Sequence, residues 1–388
     1  MAKFDFNNAI YARLWSDNDI RFLQTYIDDA ALLRSNKDFW KSQMTISETV
    51  TPTAPDGTAT FAVQYEKKEL SPMADLRSRL GDSVPLDKEG IAYYAATIPD
   101  FIMPGIVENA LERADREKRF AEFGNDAALV DAWTQKVQAR YDGANSTLSN
   151  LTAQLMSTGK MVYNFGRGIH SPLHKADIPT KNFLKAGEKI WSDPNCLLLD
   201  QMFKIENDWK METGNESTPL IWQIPYNMFI NVFMKNAQVI QWIKDIRTLN
   251  DQATTTNMGF TQEEVLQYIS RYNGISPIEI VEEKQLNQGW TTKTTVSGWD
   301  SKVAVLRPAG YAGKIQHTDN LDQQLFQAYG SSVITKTFAT IDTIFHLVNT
   351  TSNNGNYKEW HTDVMFSAIP SLSEFPDHLI IDTTVANS

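Results

Sequence analysis

Cysteine, long apolar runs, clustered basic residues and catalytic signatures are all scarce in this sequence. A single cysteine, Cys196, stands among 388 residues. No disulfide can form within the chain, and folding in a reducing compartment is expected. No apolar run approaches the roughly 20 residues that a membrane helix needs. The opening Met1-Ala2-Lys3-Phe4-Asp5-Phe6 lacks the apolar centre of a secretory signal, so a soluble protein made in the cytoplasm is expected. Lys and Arg number 36 against 47 Asp and Glu, a formal charge of -11. Without a run of Lys or Arg, such a chain is poorly equipped to displace counterions from phosphate, and a dedicated nucleic-acid binder is disfavoured.

Aromatic residues are plentiful, with 10 Trp, 13 Tyr and 19 Phe. They suit an ordinary core, or broad surfaces between subunits. The length allows two or three packed modules, and the 42% hydrophobic share is that of a folded chain. Residues 1–43 read as an arm with a short amphipathic helix, capped by Ser16 or Asn18, in which Ile20, Leu23, Ile27 and Ala31 recur at helical spacing. Residues 44–70 change character. A turn-rich tip, Thr51-Pro52-Thr53-Ala54-Pro55-Asp56-Gly57-Thr58, is followed by Ala59, Phe61, Val63 and Tyr65 alternating with polar or small residues. This predicts a β-hairpin, either an ordinary surface one or one reaching away from its own core.

Pro104 is placed for a helix start, with Ile106, Ala110, Leu111 and Ala114 on its apolar side. After a break at Gly124-Asn125-Asp126, the residues Val130, Trp133, Val137, Tyr141, Leu148, Leu151 and Leu155 put one apolar stripe along a long helix. Gly143 is expected to weaken that helix by about 1 kcal/mol relative to alanine, and Gly159 to cap its end. A strand is expected over 161–165. The apolar stretch 222–242 is compatible with helix or buried strand, and is read as a strand leading into a helix from Met228 to Ile246. Thr261-Gln262-Glu263-Glu264 is a capping box. Strand-like segments follow at 278–282 and 303–306, with a polar hairpin through Gly289 between them. A last strand pair is expected at 363–369 and 379–384. No internal repeat is present, and the fold class is α+β.

No pattern in the chain carries catalytic chemistry. His170 and His174 lie four apart, but Pro172 between them and Gly166 and Gly168 before them argue against helical presentation to a metal. His317 and His361 each have a carboxylate two residues on, and are read as surface polar residues. Cys196, before three leucines, predicts a buried inert thiol. Asp193, Asp200 and Glu206 are not paired acids on sequence grounds. Gly166-Arg167-Gly168 is too short for a dinucleotide site, and no phosphate loop or nucleophile elbow occurs. Accordingly no catalytic residue, metal ligand or cofactor is expected.

A collinear series of motifs remains. Gln154-Leu155-Met156-Ser157-Thr158-Gly159-Lys160 ends the long helix. Trp191-Ser192-Asp193-Pro194 and Leu199-Asp200 follow, then a helix reaching Thr213-Gly214. Ile278-Glu279-Ile280, Ser301-Lys302-Val303-Ala304-Val305-Leu306-Arg307-Pro308, Gly313-Lys314-Ile315 and Phe366-Ser367-Ala368-Ile369-Pro370 complete the series. This order resembles the major capsid proteins of tailed phages, in particular the lambda-type capsid protein E family with the Hong Kong 97-type fold. The likeness runs from about residue 144 to 385. Cys196 and Leu197 stand where that family has small or Pro-like residues, and Ser149 where Glu is common.

The resemblance implies an N-terminal arm (1–43), an extended hairpin loop (44–70), a peripheral domain with a spine helix (71–186), an apical domain (187–320) and closing strands of the peripheral domain (321–388). It implies self-assembly into hexamers and pentamers of an icosahedral shell, with contacts between subunits at Pro52, Pro55, Asp56, Gly57 and Thr58. Implied partners are portal and scaffolding or decoration proteins, and packaged double-stranded DNA held without sequence-specific contact. The acidic balance fits a wall that does not adhere to enclosed DNA as well as it fits plain solubility. Expected location is the virion, after synthesis in the host cytoplasm. Alternatives are another phage structural protein, such as a tail-tube or decoration subunit, or a metal-dependent hydrolase using His170, His174 and Asp177.

Overall fold

The computed structural model describes residues 38–51, 59–66, 91–108, 127–164, 170–214, 216–249, 260–282, 285–288, 293–318, 333–340, 344–354 and 357–387. In chain order, helix α1 (Phe39–Gln43) leads into strand β1 (Met44–Thr49), followed by β2 (Thr60–Glu66), β3 (Ile91–Thr97) and β4 (Asp100–Glu108). The long helix α2 (Ala127–Thr158) precedes β5 (Lys160–Asn164), β6 (His170–Lys175) and β7 (Phe183–Ala186). Helix α3 (Leu198–Thr213), β8 (Leu220–Pro225), α4 (Tyr226–Asn231), α5 (Ala237–Leu249) and α6 (Gln262–Ile269) follow. The remainder is strands: β9 (Ile278–Val281), β10 (Gln285–Gln288), β11 (Lys293–Val296), β12 (Val303–Pro308), β13 (Gly313–His317), β14 (Val333–Thr340), β15 (His346–Asn354), β16 (Tyr357–Leu372) and β17 (Leu379–Ala386).

Two sheets organise these elements. In the first the order is β1-β13-β16-β15-β14, with β4 also paired to β16. In the second it is β7-β17-β12-β8-β9. The mixture of long helix, short helices and mixed sheets is the α+β class expected from the sequence.

Helix α2 runs along β16. Tyr141, Ala144, Leu148, Leu151 and Leu155 alternate at spacings of three and four and are buried in the first core, beside Phe101, Phe345, Phe366 and Ile369. The polar side of its second half is covered too. Asn145, Ser149, Thr152 and Ser157 are all buried, because other backbone approaches there. Trp40 Nε1 donates to Asn145 Oδ1 at 3.0 Å, and the Asp300 N–H donates to Ser157 Oγ at 3.1 Å. A Cβ on Gly298 would lie 2.3 Å from the Asn150 carbonyl oxygen, so only glycine lets that turn reach the helix. The helix ends as expected at Gly159, which adopts φ 69°.

The second sheet is shared between two hydrophobic cores. Along β12, Val303 and Val305 belong to the first core, whereas Ala304 and Leu306 belong to the second, with Trp191, Trp222, Phe229 and Phe233. On β17, Ile380 faces the first core and Leu379 and Ile381 face the second. Strands covered on both faces read as unbroken apolar runs, and 303–306 is such a run.

Several sequence expectations are corrected. Residues 44–49 do not pair with 60–66. β1 runs parallel to β13, with Met44 opposite Gly313, and β2 forms its antiparallel ladder with β3, Thr60 opposite Thr97 and Glu66 opposite Ile91. An antiparallel ladder is present, but β2 pairs with a strand that follows it, Glu66 opposite Ile91, and not with the segment before the 51–58 tip. Alternation marks a strand and its faces, not its partner. Pro104 lies inside β4 and starts no helix. The ladder opposes Thr362 to Ile106 and Val364 to Met103, so Pro104 and Gly105 face the single residue Asp363. A bulge of this kind tolerates a residue with no N–H to donate.

The expected helix from Met228 to Ile246 is broken. A 3-10 turn, Phe233–Lys235, intervenes, and Asn236 restarts the helix by accepting from the N–H groups of Gln238 at 3.0 Å and Val239 at 3.2 Å. β16 and β17 do not pair with each other but lie in different sheets. Sheet membership also crosses the expected segments, since β17, from 321–388, lies between β7 and β12. The arm helix expected around residues 20–31 and the break at 124–126 lie outside the described residues.

Candidate assembly surfaces and a buried polar node

His170 and His174 lie on strand β6, where four residues span about 13 Å, so the helical geometry of a two-histidine metal motif is not available. Among the described residues, no group of three or more His, Cys, Asp or Glu side chains is placed to hold a metal ion. Cys196 is buried, and its thiol is pushed up to about 11, chiefly by burial and then by Asp193. That thiol does not ionise near neutral pH.

The three acids distant in sequence each have a structural task. Asp193 accepts from the Asn195 N–H. Asp200 accepts from the Tyr272 hydroxyl and Gln238. Glu206 binds Lys210 at 2.7 Å, the Ser276 hydroxyl at 2.7 Å and Trp222 Nε1 at 3.3 Å. His317 was expected at the surface and is instead buried. Its Nε2 lies 3.1 Å from the Ser47 carbonyl, because β1 covers the strand that carries it. The His361 side chain lies outside the described residues.

Three exposed features could meet other molecules. One is the β2–β3 ladder, which among the described residues joins neither large sheet. Its base is rooted in the first core through Ala59, Phe61 and Ile98, and its far end lies seven residues out at Glu66 and Ile91. The second is a groove of about 870 Å³ between β7 and α3, lined by Phe183, Lys185, Leu197, Lys204 and Trp209 among others. Leu197 on its rim is 58% exposed. The third is the outer face of α3, where Met211 is 69% exposed and Phe203 is also accessible. The proposed contact residues Pro52, Pro55, Asp56, Gly57 and Thr58 lie outside the described residues.

A buried polar node occupies the first-core side of the shared sheet. Arg307, only 3% exposed, donates from Nε to Gln223 Oε1 at 3.0 Å and from Nη2 to Gln43 Oε1 at 2.7 Å. Its Nη1 donates to the carbonyls of Pro308 and Gly310, both at 2.8 Å. Gln43 and Gln223 each donate to Glu279, at 2.9 and 2.7 Å. Burial lowers the pKa of the guanidinium, and the Glu279 and Glu374 carboxylates oppose that shift. An arginine buried this way is tolerable because four of its donors are met and an acid lies beside it. Nothing in local sequence signals the node, since its members are scattered over 43, 223, 279 and 307.

The sequence matches no protein-family model and no curated protein. Among solved structures the chain is similar to a phage-related protein from Bordetella bronchiseptica RB50, with 12% identity, a TM-score of 0.48 and coverage of 94% of this chain and 97% of that one. It is similar to a capsid asymmetric unit of cyanophage A-1(L), at 12% identity, TM-score 0.41 and coverage of 89% and 92%. It is also similar to a virus-like particle from Pyrococcus furiosus, at 8% identity, TM-score 0.37 and coverage of 93% and 98%. Likeness at this level leaves function to be argued from the chain itself.

Proposed function

We propose that this chain is the major capsid protein of a tailed phage, a subunit of the Hong Kong 97 type that tiles an icosahedral shell around double-stranded DNA. The observation that carries the reading is the β2–β3 ladder. A two-stranded ladder is marginal in water on its own, and among the described residues this one is held at its base while its strands pair with each other and with no further strand. Packing against a neighbouring copy would stabilise such a ladder. The long helix beside a 16-residue strand, and the second core built on the opposite face of a shared sheet, suit a wall subunit. In that reading the first core is the peripheral domain with α2 as its spine, and the second core, from about residue 187, is the apical domain.

Shell building needs heterologous contacts that close around five- and six-fold axes. Each contact can be modest when an arm and a hairpin lie across several neighbours at once. The exposed apolar residues of α3 and the groove beside β7 are surfaces for such contacts. The motif order of the sequence supports the same assignment. Self-association is the primary partnership. Portal, scaffolding or decoration proteins and packaged DNA are partners at a later stage, and the virion is the site of action after synthesis in the host cytoplasm. Among the described residues, no helix is long and apolar enough to cross a membrane.

Negative-stain electron microscopy of the overexpressed full chain tests the reading. Closed shells or five- and six-membered rings are expected. Tubes would favour the tail-tube alternative, and a solitary monomer at every concentration would refute assembly altogether. Deleting residues 52–58 should leave a folded subunit that no longer gives stable shells, and normal particles from that variant would remove the role of this segment.

A further inference from the structure

Of the four side chains that form the Arg307 node, Gln43 alone lies outside the shared sheet. Gln223, Glu279 and Arg307 sit on the adjacent strands β8, β9 and β12, with Gln223 directly opposite Glu279. Gln43 comes from the end of α1, 180 residues away from Gln223, and its Oε1 accepts from both Gln223 (2.8 Å) and Arg307 (2.7 Å). The segment it belongs to touches both halves of the molecule. Trp40 docks on α2 through Asn145, the Ala312 N–H donates to the Gln43 carbonyl at 2.8 Å, and β1 forms the edge of the first sheet against β13.

The charge arrangement makes this contact separable from the rest. Arg307 and Glu279 remain opposite in sign and bridged by Gln223 when Gln43 is withdrawn, so no net charge is stranded in the interior. Gln43 is neutral, and the groups it leaves can be met by water. Removing Arg307 or Glu279 would strand a charge, at far greater cost. The side chain that enters from the N-terminal segment is therefore the one whose departure the interior tolerates best.

We propose that the Arg307 node is a latch, with Gln43 as its bolt, that fastens β1 (Met44–Thr49) across the junction of the two cores and lets that strand release while Phe39 and Trp40 stay docked and both cores stay folded. Arg307 acts as the keeper: its Nη2 donates to Gln43 Oε1 while Nε and Nη1 are held by Gln223, Pro308 and Gly310. Of the residues of β1 only Met44 is buried, and among the described residues the strand pairs with β13 alone, so it is positioned to open before the sheets behind it. The inference concerns the isolated chain and does not rest on the shell reading.

Hydrogen exchange of the full chain, followed by mass spectrometry, tests it with Gln43→Ala and Arg307→Lys. In Gln43→Ala, residues 44–50 should exchange at least tenfold faster, while β12 and β16 keep their wild-type rates. Arg307→Lys keeps the charge and loses the fork, and should show the same selective loss. Unchanged rates at 44–50 in Gln43→Ala would overturn the proposal. So would acceleration shared equally by β12 and β16, which would make the node an ordinary part of the global core. If Arg307→Lys does not fold, Gln43→Ala decides alone, since it removes no charge.

Discussion

Protonation of His378 should destabilise this protein over a defined pH window. The residue is almost fully buried, and its Nε2 donates to the Met156 carbonyl at 2.6 Å, near the end of α2. That hydrogen bond fixes the proton on Nε2. Burial lowers the pKa from 6.5 to about 4, the Met156 carbonyl opposes the shift, and the positive charge of Arg307 adds to it. The folded value lies below the unfolded one, so the folded state prefers the neutral ring. The contribution is complete above about pH 6.5, declines as pH falls, and levels off below about pH 4. At pH 4.5 the loss amounts to about 2.5 kcal/mol, taking 1.36 kcal/mol per pKa unit. Urea unfolding of wild type and His378→Gln at pH 7.5 and 4.5 reads it directly. Carboxylate titration is common to both proteins and cancels in the double difference. Wild type should lose about 2.5 kcal/mol more than the variant between the two pH values, and parallel pH profiles would refute the reasoning.

Other substitutions have outcomes set by the packing. Leu148→Ala removes a fully buried side chain of α2 and should cost about 3 kcal/mol in urea unfolding; a cost under about 1 kcal/mol would mean that the site collapses freely. Gly313→Ala would place a Cβ 1.8 Å from the Ser371 carbonyl oxygen. The β13–β16 ladder has to part, a penalty of about 1–3 kcal/mol or more, visible as a lower melting temperature with faster exchange in β1 and β13. Thr261→Ala removes the cap whose Oγ1 accepts from the Glu264 N–H at 3.2 Å, and should cost about 1 kcal/mol. An unchanged urea midpoint would show that α6 is held by Val265 and Ile269 alone.

The long helix, its glycine stop, the capping box at Thr261 and the buried strand 303–306 were all legible in the sequence. Each is written in local periodicity or in a residue with one conformational role. The buried state of Cys196 was legible for the same reason, from the leucines that follow it. The Pro104 bulge was not, because a proline suited to a first helical turn is equally suited to a bulge once Asp363 stands opposite. The candidate surfaces divide in the same way. An antiparallel ladder was visible as alternation, but its strands were assigned one partner too early.

What the sequence determined by itself was the kind of each element and which of its faces is apolar, since a period of 2 or 3.6 is fixed by backbone geometry. Only the tertiary structure decided which strands lie side by side, that one sheet serves two cores, and that Gln43 meets Arg307. Those choices depend on contacts between residues hundreds of positions apart. Their free energy comes from burial and hydrogen bonding that no local window of sequence contains.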